Sequence, residues 1–378
     1  MAEKKTVVMP KEHKERLRLK VQYFDYSLLL IVILLFAFGM VMLYSTSAYT
    51  ATIKYDNPMV YLRKQAIASA LGFVAMFFMI KLDYHILLKF SWLLYVVSFL
   101  LCVAVIFVGT SLNNSSRWLN ICGVSVQPSE IAKVAIIIFY ATLISKTSKS
   151  LGNFKKLFYA FAFSLPFLAV IGYNNLSTAI IIMGIAFVML FVASSQKKFF
   201  IFSVMLLGFL FILLLLLQGY RSDRIAVWLN PEKYDTGFQT LQGLYAIGSG
   251  GLIGKGLGAS MQKLGFVPEA QNDMIFSIIC EELGLVGAVA LIVLYLLLIW
   301  RFMVIAMNAK DLFGSFLVIG IMTHIILQVI LNIAVVTNTI PNTGITLPFI
   351  SYGGTSISIL LGEIGIVLSV SKGITLES

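Results

Sequence analysis

About ten apolar runs, each of roughly 20 residues, recur along this 378-residue chain. Their centres fall near Leu34, Ala75, Leu100, Ile138, Phe167, Gly184, Leu210, Gly287, Ile325 and Leu361. At about 1.5 Å per helical residue, each can cross the roughly 30 Å hydrocarbon core of a bilayer. Every backbone N–H and C=O must be satisfied there, and a helix does so within its own segment. The pattern predicts an all-α polytopic membrane protein of about ten transmembrane helices. The division between the fifth and sixth runs, near Tyr173–Ser177, is the least distinct. The first run has small residues after it, like a signal peptide, but its length and the spans that follow make it a membrane helix.

Composition agrees. The chain is 59% hydrophobic and 12% charged, against about 25% charged in a soluble domain. The formal charge of +11 does not point to nucleic acid. Seven cations (Lys4, Lys5, Lys11, Lys14, Arg16, Arg18 and Lys20) crowd the N-terminal tail, and most others flank apolar runs beside membrane lipids. The three cysteines, Cys102, Cys122 and Cys280, show neither a CxxC nor a Cys/His cluster, so no zinc site or disulfide framework is expected.

With the N-terminus inside, 18 Lys and Arg fall on the cytosolic side and 9 on the other. That bias puts both termini in the cytosol. The expected organisation is a basic cytosolic tail (1–24), a transmembrane domain (25–372) and a short cytosolic tail (373–378). A large extracytoplasmic loop, about 218–272, joins helices seven and eight. Three polar loops, Thr110–Ser129, Gln218–Asn272 and Asn338–Ser356, then share the outer face, so chemistry is expected at the outer leaflet of the cytoplasmic membrane. No internal repeat stands out, which weakens an inverted-repeat transporter.

Candidate residues follow from acids and bases that a membrane chain can ill accommodate. A charge at bilayer depth costs roughly 2.5–3.5 kcal/mol even on the lenient insertion scale. Asp273, at the outer end of helix eight, suits a general base; in that position an Asp also suits an N-cap. Glu281 and Glu282 lie deeper on the same helix, as interhelical bonding partners or as a proton path. Glu130 and Lys133, three apart, share a helix face, either as a self-neutralising pair or with Lys133 open to a phosphate. Arg117-Trp118 fits an interfacial or headgroup anchor. Arg221, Arg224 and Lys255 are outer-loop cations. The glycine-rich run Gly248–Gly258 fails the phosphate-loop pattern and lacks the βαβ context of a dinucleotide site, so a flexible or re-entrant loop is expected. His324, Gln328 and Asn332 form an i, i+4, i+8 stripe suited to interhelical hydrogen bonds, and Glu363 has the same status.

These residues, in this order, resemble the SEDS family of bacterial cell-wall proteins (shape, elongation, division, sporulation). The matching motifs are Arg117-Trp118-Leu119, Gln127 through Glu130 with Lys133, Gly248–Gly258, Pro268-Glu269 through Asp273 to Glu281-Glu282, and Pro341 through Ser356. Val335-Val336-Thr337 and Asp25-Tyr26 look more like the FtsW/SpoVE branch than RodA. Departures are Gln271-Asn272 where the family often has His-Thr, and Ser116 where a further Arg is common.

The resemblance implies a peptidoglycan glycosyltransferase that polymerises lipid II beside a class B penicillin-binding protein, with Asp273 catalytic. Substrate contacts would come from Arg117, Trp118, Glu130, Lys133, Arg221, Arg224 and Lys255. A divalent cation, magnesium or manganese, could share the leaving group's charge, although no distinct ligand cluster stands out. Two rivals remain. A lipid II flippase draws support from Glu281, Glu282, His324 and Glu363. A non-catalytic scaffold for the penicillin-binding protein would not need Asp273.

Overall fold

The computed structural model describes residues 23–112, 115–121, 124–148, 151–204 and 225–374. Arg221, Arg224 and the centre of the seventh apolar run lie outside them. The remaining nine runs all form helices long and apolar enough to span a bilayer.

In chain order the first three helices are α1 (Tyr26–Tyr55), α2 (Val60–Lys81) and α3 (His85–Val108). Strands β1 (Thr110–Leu112), β2 (Ser115–Ile121) and β3 (Val124–Val126) follow. Next come α4 (Pro128–Thr147), α5 (Phe154–Ala162), α6 (Leu165–Asn174), α7 (Leu176–Ala193) and α8 (Phe238–Gly250). The last three are α9 (Ile275–Asn308), α10 (Leu312–Val336) and α11 (Gly354–Lys372).

The all-helical membrane architecture holds, and one connecting loop carries a small sheet. The loop after α3 is an antiparallel three-stranded meander, with Thr110 opposite Trp118 and Leu119 opposite Val126. Its segments are too short and too polar to bury a helical face, so inter-strand bonds satisfy the backbone instead. The fifth span is two helices, α5 and α6, broken where Ser164 turns its hydroxyl back to the Phe161 carbonyl at 2.7 Å. Asn175 divides the fifth and sixth runs by capping α7, its side chain accepting from the Thr178 amide at 3.2 Å.

The best-enclosed spans are α4, α10 and α11. Small residues let α2 lie close along α11: a Cβ on Gly72 would come within 2.9 Å of the Ser358 Cα, and one on Gly365 within 2.6 Å of the Met76 carbonyl. Apolar attraction alone does not drive helices together in lipid, so such close backbone approach matters.

One end of the bundle holds both described ends of the chain. The Tyr23 amide donates to the Ile374 carbonyl at 3.2 Å. Nearby, Asp25 caps α1 through the Leu28 amide and pairs with Arg301 of α9 at 2.6 Å. The other end gathers the connecting segments. Thr355 donates to the Ser125 carbonyl (2.9 Å), Trp228 to that of Asn338 (2.9 Å), Ser177 to that of Thr343 (2.5 Å), and the Tyr352 amide to that of Gln271 (2.9 Å).

Candidate active site

Helix α9 is broken at Gly284, where φ is +66° and ψ −165°. In an unbroken helix the amides of Leu285 and Val286 would bond the carbonyls of Glu281 and Glu282. Here they donate to Gly251 and Leu252 at 2.9 and 3.1 Å, while the amides of Lys255 and Gly256 donate to Glu281 and Glu282, both at 2.9 Å. The glycine-rich run is thus a re-entrant strap that completes the backbone bonding of a broken helix.

The two acids at this break serve the same join. Glu281 takes the Lys255 ammonium at 2.7 Å, the Ser260 hydroxyl, and the amides of Met261 and Gln262 at 3.2 and 3.4 Å. Glu282 takes Lys263 at 2.7 Å and Ser45 of α1 at 2.8 Å. Both carboxylates are fully buried, and pairing of this kind offsets the cost of their burial. Their partners come chiefly from the strap and the segment directly after it, Ser260 to Lys263, rather than from neighbouring helices. Lys263 reads in the sequence only as one more outer-loop cation, because its buried partner is a tertiary contact.

Asp273 differs from both. Helix α9 has Met274 at its cap position, with no side-chain cap bond, so the expected N-cap alternative is not realised. Among the described residues no ion pair reaches the half-buried Asp273 carboxyl. Gln239 Nε2 of α8 donates to it at 3.5 Å, at the limit of a hydrogen bond. Asn342 donates in turn to Gln239 at 3.4 Å. Asn332 holds the Asp273 carbonyl at 2.8 Å and that of Ile345 at 2.7 Å, tying the turn before α9 to the loop after α10. Burial pushes the Asp273 carboxyl up to about 7, and the nearby Glu269 carboxylate adds to the shift. A carboxyl poised near neutrality and held without a counter-charge suits proton abstraction.

This geometry sits in a chain whose residues 26–375 match the family model for FtsW, RodA and SpoVE, described as a cell cycle protein. The chain belongs to the FtsW/RodA/SpoVE family. It is 40% identical to stage V sporulation protein E of Bacillus subtilis, the match covering 92% of this chain and 97% of that protein. It is 37% identical to the "Probable peptidoglycan glycosyltransferase FtsW" of Geobacter metallireducens, over 94% and 97% of the two chains. Among solved structures, one from a peptidoglycan synthase complex that coordinates polymerisation and crosslinking aligns with a TM-score of 0.79 at 26% identity, covering 92% of this chain and 97% of that one. Thermus thermophilus RodA aligns with a TM-score of 0.69 at 25% identity, covering 92% and 96%. Like these relatives, the chain is a multi-pass protein of the bacterial cytoplasmic membrane.

Within this FtsW/RodA/SpoVE-family fold the other expected residues scatter. Arg117 and Trp118 lie on β2, and Trp118 is half-buried. Glu130 and Lys133 form the expected pair at 2.8 Å, with Lys133 only 1% exposed. Lys255 belongs to the strap. His324 Nδ1 lies 3.0 Å from both Glu363 oxygens, and both side chains are fully buried. On the His324 stripe, Gln328 bonds Thr346 at 3.3 Å, whereas Asn332 reaches the Asp273 turn. Gln239 and Asn342 came to light only through folding. Among the described residues no three His, Cys, Asp or Glu side chains gather where they could hold a metal ion. Asp273 with Glu269 alone is no preformed cage.

Proposed function

We propose that this chain polymerises lipid II into β-1,4 glycan strands at the outer face of the cytoplasmic membrane, with Asp273 as general base. Asp273 removes the proton from the 4-hydroxyl of the acceptor's N-acetylglucosamine. The freed oxygen forms a bond to the anomeric carbon of the donor's N-acetylmuramic acid. The bond to undecaprenyl pyrophosphate breaks, and the leaving group takes the electron pair. Attack opposite an α-linked leaving group gives the β product, so one base suffices.

The observation that carries this reading is the lone Asp273 carboxyl, raised to about 7 by its surroundings and framed by Gln239, Asn342 and Gly344. Among the described residues the other buried acids are closed into pairs: Glu281 with Lys255, Glu282 with Lys263, Glu130 with Lys133, Glu363 with His324 and Asp25 with Arg301. That closure favours a polymerase over a flippase, which needs open polar groups across the bilayer. Lys133 and Lys255 already serve carboxylates, which makes Arg117, Arg221 and Arg224 the stronger candidates for the leaving pyrophosphate. A magnesium or manganese ion is a further candidate for that charge. The Lys and Arg bias supports cytosolic termini and outward loops, and the likeness to a peptidoglycan synthase complex supports a class B penicillin-binding protein as partner.

The test is polymerisation of purified lipid II by wild type and Asp273→Asn, each with its cognate partner bound. Glycan ladders from wild type alone are expected. Equal ladders from both would remove Asp273 as base. No ladder from either would favour the flippase or scaffold.

A further inference from the structure

Three tyrosines without a part in that mechanism stand beside the Asp273 turn. Tyr55 closes α1, Tyr61 lies in the first turn of α2, and Tyr352 belongs to the loop before α11. The Tyr55 and Tyr61 rings meet edge to face with centroids 6.0 Å apart, and the Tyr61 and Tyr352 rings do so at 5.1 Å. The row is fastened at its Tyr352 end. The Tyr352 amide donates to the carbonyl of Gln271, two residues before Asp273, at 2.9 Å. Gln65 of α2 accepts from the Gly353 amide at 3.1 Å and donates to the Ser351 carbonyl at 3.4 Å. Glu269 stands near the Tyr61 side chain. At the far end, Tyr55 is 51% exposed, and the Lys64 ammonium sits 5.7 Å above its ring.

Tyrosines at a helix end commonly anchor a protein in the interface, one end of the ring wet and the other in lipid. This row is built differently. Its rings touch one another, and Tyr61 and Tyr352 are half-buried against the turn that carries Asp273. Glu269, Gln271 and Lys64 supply polar atoms along its flank. An aromatic face carries partial negative charge. The axial C–H bonds of a β-linked pyranose present partial positive charge to such a face, and the equatorial hydroxyls and amides reach for polar side chains at the edge. Aromatic walls with a few placed polar groups make an orienting site for a ligand of this kind.

We propose that Tyr352, Tyr61 and Tyr55 form a saccharide platform that holds the β-1,4-linked glycan strand as it leads away from Asp273. The assignment rests on the polymerase reading above, since only a polymer-forming enzyme needs sugar contacts beyond the reacting pair. It adds a binding site for the strand itself.

The experiment uses the full-length protein in a detergent without sugar headgroups, with chitotetraose, a soluble β-1,4 tetramer of N-acetylglucosamine, as probe. Saturation-transfer NMR and titration read binding without turnover. Wild type is expected to bind the probe, and Tyr61→Ala to bind it about ten-fold more weakly. Tyr61→Phe keeps the ring and is expected to stay within about two-fold of wild type. Tyr55→Ala removes a half-exposed ring at little risk to folding and is expected to weaken binding about three-fold. It should also shorten the strands made from lipid II. Unchanged probe affinity in both alanine variants, or no binding by wild type, overturns the platform. An Asp273→Asn variant that still polymerises would overturn the catalytic assignment instead, so the two ideas fail separately.

Discussion

A Cβ atom added to Gly284 would lie 2.4 Å from the backbone nitrogen of Gly254. The two residues meet backbone to backbone, and both have positive φ, +66° and +86°. Side chains here would part the strap from the broken helix α9, and with it the mounting of Glu281 and Glu282.

Gly284→Ala is therefore expected to destabilise the protein by about 1–3 kcal/mol from backbone conformation alone, with the clash adding to it. The readout is a lowered thermal midpoint in detergent, accompanied by weaker lipid II polymerisation. Gly248→Ala is the contrasting case. It is helical and its Cβ would meet nothing within 4 Å, so the same measurement should show no loss, and a gain of up to about 1 kcal/mol.

Asp273 should set opposite demands on activity and stability. Its folded value near 7 exceeds the ordinary 3.8, so folding favours the protonated form. The stability this contributes is complete below about 4 and is lost as pH rises through about 7. Asp273→Asn does not titrate, so its thermal midpoint should exceed that of wild type at pH 8 and converge with it towards pH 4. Wild-type polymerisation should climb through about pH 7 and then level off, because the base must be ionised. A wild-type rate independent of pH between 5 and 8 would count against the assignment.

Lys263 and Lys255 should not be equivalent. Lys263→Met leaves the fully buried Glu282 with Ser45 alone, and breaking such a pair costs about 3–5 kcal/mol. Lys255 is 36% exposed, and its loss leaves Glu281 bonded to Ser260 and two amides. Lys255→Met should cost about 1 kcal/mol or less. Thermal unfolding of both variants side by side gives the comparison, and equal losses would contradict it.

Arg301 grips Asp25 with Nε at 3.1 Å and a terminal nitrogen at 2.6 Å, and the same terminal nitrogen donates to the Tyr23 hydroxyl at 2.5 Å. Removing it strands a fully buried carboxylate at the start of α1. Arg301→Met should cost about 3–5 kcal/mol. The double variant with Asp25→Asn should recover much of that loss, because the uncompensated charge is gone. A double variant no more stable than Arg301→Met would assign the loss to packing.

Much was legible in the sequence because a bilayer punishes exposed backbone. Apolar length alone marks the helices, and motif order marks the family. Local chemistry also brought out Asp273, and the three-residue spacing of Glu130 and Lys133 foretold their bond. The glycine run is legible as a flexible or re-entrant loop, but its exchange of hydrogen bonds with α9 at Gly284 is not, because those bonds join residues about thirty positions apart and no local period records such a swap. The meander at 110–126 was missed because short strands carry a weak signal beside helical spans.

By itself, the sequence determined that this chain spans a membrane many times, and that its acids demand partners or uses. Only the tertiary structure decided which of the described acids that leave the solvent has no counter-charge. Lys255, Lys263 and His324 each close on a carboxylate through contacts that require α9, α10, α11 and the segment from the strap to Lys263 to be packed together, whereas Lys133 meets Glu130 within α4. Asp273 is left half-buried beside neutral amides. Desolvation depends on everything that surrounds a group in space, so its rise to about 7 is a property of the assembled bundle.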